Sequence, residues 1–208
     1  MTGTNNESFA LPAESPDPLV RPRTDADLDA CVRVLAEVHR RDGYPVNWPE
    51  RPDAWLSDGP VLGAWVAELG GHLDGRLAGH ISLSRESSGD VAPVLWSGRN
   101  GVERGRAAVV GRLFVAPWAR GRRIGALLID RAVAEADRHG LHPVLDVVAS
   151  DTAAAALYER LGWELLDTVE QRWSPHQTVT IRCYAAPARP LPTSPSTRPG
   201  PPGFPNSR

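Results

Sequence analysis

Seven consecutive residues, Arg120-Gly121-Arg122-Arg123-Ile124-Gly125-Ala126, carry the strongest chemical signal in the chain. They follow the apolar run Ala107 to Val115 and lead into Ile124, Leu127, Leu128, Ala132 and Ala136, which recur at helical spacing. A helix start leaves backbone N–H groups unpaired and carries the positive end of the helix dipole, which suits it to an anion such as phosphate. Gly121 and Gly125 let the backbone approach closely, and Arg120, Arg122 and Arg123 can pair with phosphate oxygens. Read alone, these residues fit either a pyrophosphate cradle or a solvated turn with charged side chains. A GxxxxGK[ST] nucleotide loop is absent, and the chain contains no lysine to supply one. That absence also removes any mechanism through a lysine nucleophile or Schiff base. Cys31 and Cys183 lie far apart, and the six histidines form no HExxH pair, so no metal site or disulfide framework is expected.

The elements that position this loop follow from periodicity and turn chemistry. Leu19 to Pro22 reads as a short strand, and Thr24 with Asp27 resembles a capping box opening a helix with Leu28, Cys31, Val32 and Leu35 on one face. A Pro- and Trp-containing stretch from Gly43 to Pro49 interrupts it before a short helix around Asp53 to Leu56. Val61 to Leu69 and Arg76 to Ser84 read as an antiparallel hairpin across a Gly-rich turn. Ser87 to Arg106 is polar and turn-rich and is expected to be loop, whereas Ala107 to Val115 is expected to be a buried strand. After the helix that Gly140 closes, Pro143 to Ala149 is a further buried strand, and Asp151 can cap a helix carrying Ala154, Leu157, Tyr158 and Leu161. Trp163 to Trp173 and Thr178 to Tyr184 complete the strands. This order predicts an α/β domain, a mixed sheet with helices on its faces.

Two stretches of this chain resemble the GNAT family of acyl-CoA-dependent N-acyltransferases. Arg120-Gly121-Arg122-Arg123-Ile124-Gly125 is similar to the family's Q/R-x-x-G-x-G/A loop, with Arg123 where glycine is usual. Asp151 to Trp163 resembles its N-x-x-A-x-x-x-Y-x-x-x-G-F/W helix, with Asp151 in place of asparagine. The resemblance covers roughly residues 19–186 and implies one GNAT-like domain with a mixed, mostly antiparallel sheet flanked by helices. It implies that acetyl-CoA is the donor, that no metal takes part, and that Arg120 to Ala126 hold its pyrophosphate. Leu113, Phe114 and Val115 would pair through their backbone with the pantetheine arm, while Asp151 and Ala154 would contact that arm from the later helix. Tyr158 would be the acid that protonates the departing thiolate. A phenol near pKa 10 is a weaker acid than a thiol near 8.5, so hydrogen-bond stabilisation is its larger expected role.

The accepting amine must be neutral to attack, and at a pKa near 10.4 only about one molecule in a thousand qualifies at pH 7, so a base is required. Asp58, Glu103 and Asp146 are available carboxylates, and none is singled out by spacing. Arg112, alone in an apolar strand, either faces an anionic acceptor or reaches solvent. The expected activity is direct transfer from acetyl-CoA to a small-molecule or peptide amine. Its rivals are a noncatalytic acyl-CoA sensor and a nucleotide-dependent enzyme using the same loop. A formal charge of −2, from 23 basic and 25 acidic residues, gives no field that would gather nucleic acid or anionic membrane. No apolar stretch approaches the roughly twenty residues of a membrane span, and a cytoplasmic location is expected. A homodimer is compatible with the family. Residues 1–18 and the Pro-rich 187–208 read as disordered tails, the second open to a partner that reads polyproline II helix.

Overall fold

The computed structural model describes residues 17–70 and 76–188. Most of both predicted tails and the centre of the Gly-rich turn lie outside the described residues. Along the chain run β1 (Leu19–Pro22), α1 (Leu28–Asp42), α2 (Pro52–Ser57), β2 (Val61–Leu69), β3 (Arg76–Arg85), α3 (Val91–Asn100), β4 (Ala107–Val115), α4 (Ile124–Arg138), β5 (His142–Val148), α5 (Thr152–Arg160), β6 (Glu164–Ser174) and β7 (Gln177–Ala185). The strands form one sheet in the order β1-β2-β3-β4-β5-β7-β6, antiparallel except for the pair β4 and β5. This is the expected α/β architecture. Among the described residues no helix is long and apolar enough to cross a membrane.

Alternation along the central strands sorts the layers. Trp65, Gly79 and Ile81 face α4, whose Arg131 lies 4.9 Å above the Trp65 ring. Gly79 is required there: a Cβ would stand 2.9 Å from the Phe114 carbonyl and 3.1 Å from Leu128, so only a bare backbone lets α4 settle on β3. Val66, His80 and Ser82 face the other side, toward α2. The predicted capping box forms. The Thr24 N–H and hydroxyl both donate to Asp27, at 2.7 and 2.8 Å, and open a single 3-10 turn that runs into α1. Arg21 binds both Asp27 and Glu68, which ties β1, β2 and the entry to α1 together.

The expectation of loop over Ser87 to Arg106 is overturned by α3, which packs on β4, β5 and β7. Its Ala92 is fully buried in a second apolar cluster with Ala107, Val144, Ile181 and Cys183, and Trp96 stacks on His142 at 4.5 Å. Pro93 is tolerated because it sits in the first turn, where a backbone N–H has no helical partner to lose. Gly89 and Gly101 bracket a helix of only ten residues, and together with Pro93 they read as turn punctuation. Without neighbouring strands to cover, nothing in the segment outweighs that composition. β4 also differs from the continuous buried strand expected of it. Its pairing with β3 shifts between Gly111 and Phe114, and Arg112 in that bulge has φ 51°.

Candidate active site

The parallel pairing of β4 with β5 is confined to Ala107–Val109 against His142–Val144. Beyond Val109 the two strands diverge, and both are left with backbone groups facing a wedge that opens toward their C-terminal ends. β3 creates this divergence with two buried polar side chains. Ser82 donates to the Gly111 carbonyl at 3.1 Å, and His80 Nδ1–H donates to the Arg112 carbonyl at 2.9 Å. His80 Nε2 in turn accepts from Arg23 at 3.2 Å, which sets the tautomer. Burial pushes the His80 pKa down to about 3, so the ring is neutral and both nitrogens keep these roles. The bulge carbonyls are thus satisfied inside the fold, and β4 bends away from β5. Neither His80 nor Ser82 was marked by the sequence. A polar residue at alternate positions of an otherwise apolar strand was the available signal.

At the mouth of the wedge lies the arginine-glycine loop. Gly121 has φ 79°, and Arg123 takes the left-handed conformation at φ 60°. Arg123, at the position where the resembled motif has glycine, thus takes a backbone conformation that glycine adopts freely. The first α4 hydrogen bond runs from Leu127 to the Arg123 carbonyl, so the amides of Ile124, Gly125 and Ala126 precede the helical ladder. Arg122 and Arg123 are exposed with no ion-pair partner among the described residues. Arg120 instead holds the Asp42 carboxylate at the end of α1. Ile124 is buried in the core, so only its backbone faces the loop. Gly125 faces α5, where an added Cβ would meet Leu157 at 3.0 Å, so its lack of a side chain also serves helix packing.

Asp151 accepts from the Ala154 N–H at 2.9 Å and caps α5, which fixes the direction of the helix bearing Tyr158. Tyr158 is buried, 6% exposed, with ring centroids 5.7 Å from Trp163 and 6.0 Å from Tyr184. Burial raises its pKa far above the usual phenol range, so its hydroxyl stays protonated. The fold brings Tyr44 into the same neighbourhood: its phenol feels the charges of Arg112, Asp151 and Asp146. Tyr44 packs edge-on to Trp55 at 6.4 Å, and the Arg112 guanidinium lies 5.3 Å over Trp55 while donating to the Asp58 carbonyl at 3.0 Å. Of the three carboxylates considered for the base, Asp146 alone registers in the surroundings of Tyr44 and Tyr158. Asp146 is an exposed residue, yet desolvation of its carboxyl, then the charge of Asp90, raises its pKa. Glu103 is an exposed loop residue, and Asp58 meets Arg112 through its backbone. No group of three side chains able to hold a metal occurs among the described residues.

The layout has counterparts among solved structures. A putative acetyltransferase from Salmonella typhimurium, solved with acetyl-CoA, is 19% identical with a TM-score of 0.57, over 81% of this chain and 92% of that one. A Gcn5-related N-acetyltransferase from Kribbella flavida is 21% identical with a TM-score of 0.58, over 82% and 98%. A ribosomal-protein-alanine N-acetyltransferase from Brucella melitensis is 21% identical with a TM-score of 0.58, over 80% and 98%. At these identities the likeness establishes the fold. No curated protein matches the chain. The model of the acetyltransferase (GNAT) family matches residues 30–163, a span holding both the arginine-glycine loop and the Tyr158 helix, and with its diverging β4 and β5 this chain belongs to that family.

Proposed function

We propose that the protein transfers an acetyl group from acetyl-CoA directly to a primary amine within a ternary complex. The observation that carries this reading is the divergence of β4 from β5 beside the free amides of Ile124, Gly125 and Ala126. The helix start suits a pyrophosphate, with Arg122 and Arg123 adding charge. The wedge offers unpaired β4 backbone at Leu113, Phe114 and Val115 to an extended pantetheine arm, much as a sheet edge accepts an added strand. An N–H on that edge would stabilise the tetrahedral oxyanion, a contribution typically of about 3 kcal/mol.

Tyr158 acts on the leaving group. Burial lifts its pKa further above that of a thiol, so complete proton transfer to the thiolate is more uphill than the sequence implied. Its hydroxyl serves chiefly as a hydrogen-bond donor that lowers the charge on sulfur as the C–S bond lengthens. Asp151 supports the arm indirectly, by capping the helix. The test is calorimetric titration with acetyl-CoA, followed by free-thiol release across an amine panel. Tight donor binding with amine-dependent thiol release is expected. Absence of donor binding rejects the reading, and binding without acceptor-dependent turnover identifies an acyl-CoA sensor instead.

A further inference from the structure

Resting on the acyl-transfer reading, we infer that the acceptor is a compact amine carrying its own carboxylate, with that carboxylate held by Arg112 and its ammonium presented to Asp146. Arg112 is a half-buried guanidinium that donates to the Asp58 carbonyl and feels the Asp58 charge, yet it forms no ion pair with a described residue. Half-buried arginines generally find a carboxylate, because desolvating the charge is costly without one. Here Trp55 covers one face of the guanidinium and the Asp58 carbonyl takes one N–H, which leaves donors for a planar anion. The backbone is strained to hold it: Arg112 sits at φ 51°, a conformation that costs a non-glycine residue energy, and two buried side chains of β3 hold that bulge.

Asp146 stands on β5 across the wedge. Its backbone pairs with Cys183, whose side chain belongs to the apolar cluster under α3, so Asp146 points to the same side of the sheet as Trp55 and Arg112. Tyr44 feels the charges of both Arg112 and Asp146. A cationic group and an anionic group on one face match a zwitterion. Asp146 is exposed as a residue, but desolvation of its carboxyl, then the charge of Asp90, makes that carboxylate more basic than an ordinary one. The Asn47 and Gln177 side-chain amides exchange hydrogen bonds at 2.9 and 3.2 Å, which ties the loop bearing Tyr44 to the β6–β7 hairpin. A tied roof favours a small acceptor over a polypeptide.

The proton balance closes with these groups. The acceptor ammonium gives one proton to Asp146, and the neutral nitrogen attacks the thioester carbon. The C–S bond breaks, the nitrogen's second proton is lost, and the thiolate is protonated. The products are the amide, coenzyme A as thiol and one proton released to solvent.

The experiment compares amino acids of several side-chain lengths with their carboxamides, at saturating acetyl-CoA. The expected result is a kcat/KM at least about tenfold higher for the carboxylates. Arg112→Gln is expected to erase that preference through KM, with kcat within about twofold and acetyl-CoA affinity unchanged, and Arg112→Lys to restore part of it. Equal or better turnover of carboxamides or of peptide N-termini overturns the inference while leaving acyl transfer intact. So does an Arg112→Gln effect that is the same for both members of each pair, which would mark a structural role. Donor binding with no turnover of any amine removes the acyl-transfer reading and this inference with it.

Discussion

The two faces of the sheet are built by different means. The face bearing α4 and α5 builds the proposed donor site from contiguous segments: a loop of seven residues, a helix start and a capped helix. The opposite face gathers Tyr44, Trp55, Arg112 and Asp146 from four separate segments, held by a strained bulge and an amide pair 130 residues apart in sequence. Backbone groups do most of the work on the first face, side chains on the second. On this proposal the donor side should tolerate changes of side chain that keep backbone geometry, as Arg123 in a left-handed conformation does, while the acceptor side should be sensitive to single side chains.

That contrast can be broken by substitution. The largest expected effect is at Tyr158, proposed to serve the donor through a side chain: Tyr158→Phe should lower kcat about a hundredfold in steady-state assays while calorimetric acetyl-CoA affinity stays within twofold. A loss of affinity instead would make the ring a packing residue. Next comes Gly125→Asp, which adds a negative charge to the cradle and presses on Leu157. Acetyl-CoA binding should weaken roughly tenfold to a hundredfold, although a carboxylate in the first turn suits the helix dipole and spares much of the stability. Unchanged affinity would move the pyrophosphate elsewhere.

Smaller effects sharpen the account of the shared strand β3. Gly79→Ala forces a methyl against the Phe114 carbonyl and Leu128, and overpacking of this kind costs about 1–3 kcal/mol, a drop of several degrees in thermal midpoint. An unaltered midpoint would show that α4 moves freely off the sheet. His80 titrates near 6.5 in the unfolded chain and near 3 in the fold, so the unfolded state binds the extra proton between those values. Its contribution is intact above about pH 6.5 and is lost as pH falls. Urea unfolding at pH 7 and pH 5 should show the wild type losing about 2 kcal/mol more than His80→Asn across that interval. Equal losses would place the ring's protons elsewhere.

Much of the donor face could be read in advance because its signals are local. Asp151 caps the helix it was expected to cap, Gly140 and Gly162 take the left-handed conformation, and the arginine-glycine loop enters a helix of the predicted extent. α3 escaped because Pro93 and its bracketing glycines imitate a loop, and only the apolar surface of β4, β5 and β7 stabilises it as a helix. Arg112 could be noticed but not interpreted, since no residue near it in sequence announces the bulge.

By itself the sequence determined the strand and helix order of the donor half and the residues at its helix start, since capping, φ preference and periodicity act over a few residues. The tertiary structure alone decided that β4 leaves β5, that Arg120 turns to Asp42 rather than the open cradle, and that Arg112 and Asp146 share a face. Those outcomes depend on which distant carbonyls, carboxylates and rings meet when the sheet closes, and that pairing is set by burial across the whole fold.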